Sequence, residues 1–227
     1  MSEVAYVAAL KREVAELVKG WKISRRTYSG RNFDFYENGD RVLVCGGIGP
    51  DAARRATQAV IELYHPKKLV SVGFVGALDS AGRVGDISVP ALVVDARDGS
   101  RIQTGCGNGV LVSFGSVAAP EQKRKLASAF GAQTVDMEAA SVAKGAQAHG
   151  ISFCALKAVS DELEFSLFPM DEFIDAAGNF HAIRFIAHAA FRPTRWPSVV
   201  RLARNARIAS HVLSERLRSE TNQNQEP

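Results

Sequence analysis

Residues 135–161 read VDMEAASVAKGAQAHGISFCALKAVSD. A helical stripe is followed there almost at once by an extended run: Ala139, Val142, Ala143 and Ala146 recur with the 3.6-residue period over Glu138 to His149, and Ile151 to Val159 is strand-like. An acidic residue stands at each junction, Glu138 where the helix begins and Asp161 where the strand has ended. A carboxylate in the first turn of a helix suits the macrodipole, so Glu138 alone reads first as a cap. Asp161, with Ser160 beside it, is either a turn former or a functional acid, because the carboxyl ends of strands are where ligands gather in open α/β sheets.

The same alternation extends outward in both directions. Upstream, Glu3 to Leu10 reads as a strand, Lys11 to Lys19 as a helix, and a polar, glycine-containing stretch as a hairpin region before an extended Arg41 to Cys45. GGIGPD then turns the chain into a helix, Asp51 to His65. A strand at Leu69 to Val72, a glycine-bearing turn VGFVGAL, a strand at Asp86 to Val94 and a loop from Asp95 to Asn108 follow. Leu111 to Phe114 reads as a strand and Pro120 to Phe130 as a helix. The pattern predicts a single α/β domain with a central mixed, twisted sheet covered by helices on both faces. That domain spans residues 1–191, followed by a basic amphipathic helix over 192–218 packed on it and a disordered tail at 219–227.

Composition supports one compact domain: 227 residues, 46% hydrophobic and 23% charged, are enough for a sizeable core. No apolar run approaches the roughly 18 residues of a membrane span and the start lacks a signal peptide's features, which places the expectation in the cytoplasm. Three widely spaced cysteines, Cys45, Cys106 and Cys154, argue against a disulfide framework and against a zinc site, and read as small core residues. A net charge of +4, weighted toward the C-terminus, is weak support for nucleic-acid binding.

Taken in order, VAYVAALKREV, GGIGPDAARRAT, SVGFVGAL, VGDISVP and the VDMEAA…AVSD segment resemble the purine nucleoside phosphorylase and methylthioadenosine/S-adenosylhomocysteine nucleosidase superfamily, over most of residues 3 to 165. The resemblance implies cleavage of a purine nucleoside by water or phosphate, with no metal or organic cofactor, in a homo-oligomer. It assigns Asp161 as the acid that protonates the departing purine, Glu138 and Met137 to the ribose, Ser160 and Phe74 to the substrate, and Glu13 to the attacking water. Breaking a ribosyl–purine bond leaves a poor anionic leaving group, which explains the need for an acid. An ionised Glu is acceptor-only and suits two hydroxyl donors. An Asp rather than an Asn at 161 is the family choice associated with 6-aminopurines, so adenine is the expected base.

Departures from the family pattern bear on the nucleophile and the 5′ side. Phe74 stands where many nucleosidases carry a serine, and Ser71 where one phosphorylase branch carries a phosphate-binding arginine. The remaining candidates for phosphate are Lys11, Arg12 and the amides of Gly47 and Gly49 at a helix N-terminus. The short ARDGSRIQTGCGNG segment leaves the 5′ side more open than in typical nucleosidases. LFPMDEFIDAAGNF and FRPTRWPSVVRLARNARIASHVL resemble the hopanoid-associated phosphorylase subgroup, which implies a lipid-tailed substrate, adenosylhopane. The seven arginines between Arg192 and Arg218, beside an apolar stripe with Trp196, fit either packing on the domain or a membrane surface, peripheral to the inner membrane. Alternatives are a futalosine-type or methylthioadenosine-type nucleosidase and a non-catalytic nucleoside-binding protein. A dehydrogenase is disfavoured, because GIGPDA does not follow the first strand and no acidic residue ends the next one.

Overall fold

The structure is a computed structural model, and it describes residues 2–166, 171–175, 178–181 and 196–223. Four parallel strands form the centre of one mixed sheet: β1 (Val4–Ala8), β4 (Arg41–Cys45), β5 (Lys68–Ala77) and β11 (Ser152–Asp161). The hairpin β2 (Lys22–Tyr28) and β3 (Arg31–Asn38) extends it antiparallel beyond β4. On the other side β10 (Thr134–Asp136), β9 (Val110–Ser113) and β7 (Leu92–Asp95) run parallel to one another, with β8 (Arg101–Gln103) at the edge and β6 (Ile87–Ser88) against β11.

Period-two alternation along the central strands sends side chains to two cores. Ala5, Val7, Leu69 and Phe153 pack with Ala53, Val60 and Ala143 of helices α2 (Pro50–Tyr64) and α4 (Ala139–Ala148). On the opposite face Tyr6, Val70, Val72 and Leu156 meet Val14 of α1 (Lys11–Val14) and Ala209, Leu213 and Leu217 of the C-terminal helix α5 (Trp196–Gln223). Helix α3 (Pro120–Phe130) covers β9 and β10 through Leu126. Both α2 and α3 start with proline in the first turn, where no intrahelical N–H is needed, and end on a left-handed residue, His65 and Gly131. The predicted fold, helices on both faces of a mixed sheet, is the observed one.

Several element boundaries differ from the sequence reading. VGFVGAL is not a turn: β5 runs straight through it to Ala77, because Gly73 and Gly76 are tolerated where other groups approach the backbone closely. Helix α1 stops at Val14 rather than Lys19, and the expected strand Asp86 to Val94 is broken around Pro90, which cannot donate to a ladder. The expected loop Asp95 to Asn108 contains β8, and β10 is an additional strand of three residues. Cys106 and Cys154 form a disulfide, with Cα atoms 6.3 Å apart. This corrects the reading of all three cysteines as separate core residues: β11 carries Cys154 to the loop after β8, a proximity that 48 residues of separation conceal. Cys45 stays free and its burial pushes the thiol up to about 12.

The pairing of β5 positions the site. Strand β11 occupies one edge of β5 from Lys68 to Gly76. The opposite edge pairs with β1 at Lys68 to Ser71 and with β10, antiparallel, at Gly76 and Ala77. Residues 72–75 lie in the gap between those two partners, and the register of β11 slips at Ser160, so that Val159 faces Val75 and Asp161 faces Gly76. A bulge of this kind re-aims the side chains that follow it.

Candidate active site

A cavity of about 270 Å³ opens at that gap. Its floor is Phe74, Val75 and Gly76 of β5. Asp161 and Ser160 enter from β11, Glu13 and Arg12 from α1, and Met137 and Glu138 from the turn between β10 and α4. Asp161 accepts hydrogen bonds from Ser160 Oγ on Oδ1 (2.8 Å) and from the Lys123 ammonium on Oδ2. Lys123, near the start of α3, is 1% exposed and also donates to the Glu162 carbonyl (2.7 Å). A Cβ at Gly76 would lie 2.8 Å from Asp161 Oδ2 and 3.1 Å from Lys123 Cε, so glycine is what lets this pair lie against β5.

Glu138 occupies the N-cap position of α4, yet its side chain does not cap that helix. The role falls to Asp136, whose Oδ2 accepts the Ala139 N–H at 3.0 Å. Glu138 Oε1 instead accepts the Gly49 N–H at 2.7 Å, reaching the glycine turn that begins α2. Burial first, and the Asp136 charge second, push Glu138 up to about 8, against the opposing pull of Lys157. Glu13 is also buried, and burial raises it above the ordinary carboxylate range despite Lys157. Gly73, with φ of 145°, makes room for it: a Cβ there would stand 2.8 Å from Glu13 Oε2.

Lys157 is the cation behind this cluster. Fully buried in β11, it pairs with Asp136 at 2.9 Å, and Asp136 is further held by Ser113 Oγ at 2.6 Å. Neither Lys157 nor Lys123 was among the residues singled out from the sequence. Lys157 left a signal there, a single charge inside an apolar strand run. Lys123 did not, since EQKRK in the first turns of a helix reads as a solvated face.

The four residues expected on the phosphate side do not share one cavity: Arg12 lines the cavity that holds the carboxyl groups, whereas Lys11 and Gly47 line a second one with Arg25 and Arg31. The Gly47 N–H donates to Ala9 O at 3.0 Å and the Gly49 N–H to Glu138, so the anion met by the glycine turn is the chain's own carboxylate. Lys11 lies outside the cavity, its ammonium 5.3 Å from the centre of the Tyr36 ring, while Arg12 lines the cavity with its guanidinium 5.2 Å from Phe180. The cavity also has an apolar wall: Val117, Ala118, Ile174 and, from α5, Val199, Leu202, Ala203 and Ala206. Helix α5 thus encloses an end that the short middle segment was expected to leave open. Its C-terminal half is packed, with Ser210 Oγ donating to Arg12 O and Glu13 O, whereas Trp196 (54%) and Val200 (67%) are exposed. Parts of the two C-terminal stretches that carry the subgroup resemblance, Arg192 and Arg195 included, lie outside the described residues.

Among the described residues no cluster of three metal-ligating side chains occurs, and no helix is long and apolar enough to cross a membrane.

The chain is similar to several known nucleosidases in sequence or in fold. A 5′-methylthioadenosine/S-adenosylhomocysteine nucleosidase of Marinomonas sp. (strain MWYL1) is 30% identical over 98 residues, which is 41% of this chain and 42% of that protein. The chain therefore matches about two fifths of the length of that relative. Among solved structures, the 5′-methylthioadenosine nucleosidase of Arabidopsis thaliana superposes with a TM-score of 0.73 at 20% identity, over 100% of this chain and 97% of that one. The futalosine hydrolase of Helicobacter pylori gives 0.68 at 20% identity, over 96% and 98%. At such identities these superpositions establish the fold. The profile of the phosphorylase superfamily matches residues 3–120 and 104–190, nearly the whole α/β domain, and the chain belongs to that superfamily.

Proposed function

We propose that this chain is an enzyme that cleaves the N-glycosidic bond of a purine nucleoside, with adenine as the base. The observation that carries the reading is the convergence of three carboxyl groups, Asp161, Glu138 and Glu13, from three separate elements on the gap in the edge of β5. As the C1′–N9 bond breaks, negative charge develops on the purine and positive charge on the sugar. Asp161, hydrogen-bonded to Ser160, is placed to give a proton to N7. Glu138 accepts from the ribose hydroxyls, with Met137 against the sugar, and Glu13 orients the nucleophile on the opposite face.

Water is the favoured nucleophile. Both glycine-turn amides already have acceptors, and Lys11 lies outside the cavity, which leaves Arg12 as the member of the phosphate-side set that lines it. The apolar wall from α5 favours an apolar 5′ substituent, and adenosylhopane in hopanoid biosynthesis is the case suggested by the sequence resemblance. Exposed Trp196 and Val200 at the start of α5 would then rest on a membrane surface. Methylthioadenosine and futalosine are the alternative substrates within the same chemistry. The test is incubation of adenine nucleosides differing at C5′, with and without phosphate, followed by identification of the base and of the sugar product. The free 5-substituted ribose in the absence of phosphate supports the hydrolytic reading. Release that requires phosphate, with a sugar 1-phosphate, replaces it by phosphorolysis, and no release of base refutes both.

A further inference from the structure

We propose that Lys123 acts through Asp161 as the source of the proton delivered to the leaving purine, so that the acid of this site is a lysine–aspartate pair. The proposal rests on the reading of Asp161 as the acid. It starts from a difficulty in that reading: an aspartate is ordinarily ionised at neutral pH and has no proton to give. Here the carboxylate is hydrogen-bonded to an ammonium buried beneath the cavity floor, which itself lines the cavity. The pair is neutral overall whether the proton sits on Nζ or on Oδ2. Transfer between them therefore separates no charge from its counter-ion.

The surroundings leave this pairing intact. Lys123 has three donors, of which Asp161 Oδ2 and the Glu162 carbonyl take two. The neighbouring charges are committed elsewhere: Glu162 to Arg201 of α5 at 3.0 Å and Glu164 to Arg124 of α3. Gly76, where a Cβ would crowd both partners, supplies the space that the pair needs.

The step balances as follows. The C1′–N9 bond breaks and its electron pair stays with the purine. The Nζ proton passes to Asp161 as Asp161 bonds a proton to N7, leaving a neutral Lys123 amine, an Asp161 carboxylate and a neutral purine. Water adds to C1′ and gives a proton to Glu13; Glu13 then releases that proton to solvent, and the Lys123 amine recovers one from solvent.

The leaving group supplies the test. Adenine needs a proton to depart, whereas 4-nitrophenolate departs as an anion, so the same sugar carried by the two groups separates acid catalysis from every other effect. With 5′-methylthioadenosine as probe, Lys123→Met is expected to lower kcat by about 10²-fold or more, the usual contribution of a positioned acid, with KM changed far less. Cleavage of the matching 4-nitrophenyl 5-methylthioriboside should stay within about threefold of the parent. Lys123→Arg keeps the cation but does not release a proton at neutral pH, so it should show the same selective loss and carries the test should Lys123→Met not fold. Parental kcat on 5′-methylthioadenosine in either variant, or equal losses on both substrates, overturns the proposal. Asp161→Asn run in parallel keeps the two claims apart. A selective loss there with Lys123 variants unimpaired leaves Asp161 as the acid and removes Lys123, and a parental rate there removes the acid reading itself.

Discussion

Replacing Lys157 by methionine is the most severe test of the electrostatic arrangement beneath the cavity. The ammonium and its partner Asp136 are both buried, 2.9 Å apart, and the same ammonium opposes the upward shifts of Glu13 and Glu138. Methionine conserves the unbranched stem and deletes the charge. Asp136 then keeps Ser113 Oγ and the Ala139 N–H but no cation, and one half of a broken buried pair costs roughly 3–5 kcal/mol. For a chain of this size about 2–4 °C is lost per kcal/mol, so the midpoint of thermal unfolding should fall by roughly 6–20 °C. The loss also has a direction in pH. Glu13 and Glu138 have folded-state values above their ordinary 4.5, so the folded state holds more protons and stability declines as pH rises from 4.5 through the folded values, about 8 for Glu138. Removing Lys157 raises both further, so the deficit should be larger at pH 8 than at pH 5.5. Differential scanning calorimetry of parent and variant at the two pH values measures it. A midpoint within about 2 °C of the parent at pH 8 would refute the claim that this pair anchors the carboxylate cluster. Lys157→Met combined with Asp136→Asn should recover part of the loss, since the uncompensated charge is then gone.

The other expectations concern the site itself. Asp161→Asn should slow adenine release by roughly 10² to 10⁴ while leaving affinity for an uncleavable carbon-linked adenosine analogue within a few fold, as read by chromatography and calorimetry. Glu138→Gln should penalise ribosyl substrates more than 2′-deoxyribosyl ones, and equal losses would deny the contact to the hydroxyls. Because Glu138 is raised to about 8 and hydroxyl donors favour its anion, binding of the carbon-linked analogue should release a proton and tighten from pH 6 to pH 8, visible as a buffer-dependent binding enthalpy. Gly76→Ala should depress kcat by displacing the Asp161 and Lys123 side chains, which a crystal structure of the variant would show directly. For the membrane reading, Arg204→Glu with Arg207→Glu should weaken salt-sensitive binding to anionic vesicles while adenine release is retained. Arg201 is unsuited to that experiment because it is paired with Glu162 beside Asp161.

The parts of the fold that were legible in the sequence are those set by local periodicity. The helices α2, α3 and α4 and the strands β4 and β11 follow from apolar spacing and from the prolines and glycines at their ends. Errors arose where tertiary contacts override local preference. Gly73 and Gly76 look like turn residues, but they lie in a strand because Glu13, Asp161 and Lys123 need the space of a missing Cβ. For the site, Asp161 and Glu138 could be named because they stand at element junctions and match a family pattern, and Glu13 through the family pattern alone. Asp136 and the two lysines act through partners 21 or more positions away in the chain, which no local window can see. The glycine turn shows the same limit: its suitability for an anion is readable, but not that the anion is Glu138, 89 residues on.

The divided edge of β5 has a consequence for how the protein acquires its site. Phe74 and Val75 border the cavity only after β1 has docked on one side of the gap and β10 on the other, with β11 closing the opposite edge. These partners are drawn from positions 4–7, 134–135 and 152–161, so loops of more than about fifty residues must close before the carboxylates meet. Non-local pairings of this kind form late, since loop entropy is lost before contacts compensate it. Partly folded chains should therefore reach native-like helix content before they bind nucleoside. In a refolding experiment the fluorescence or affinity signal of a bound purine should lag the recovery of far-ultraviolet circular dichroism.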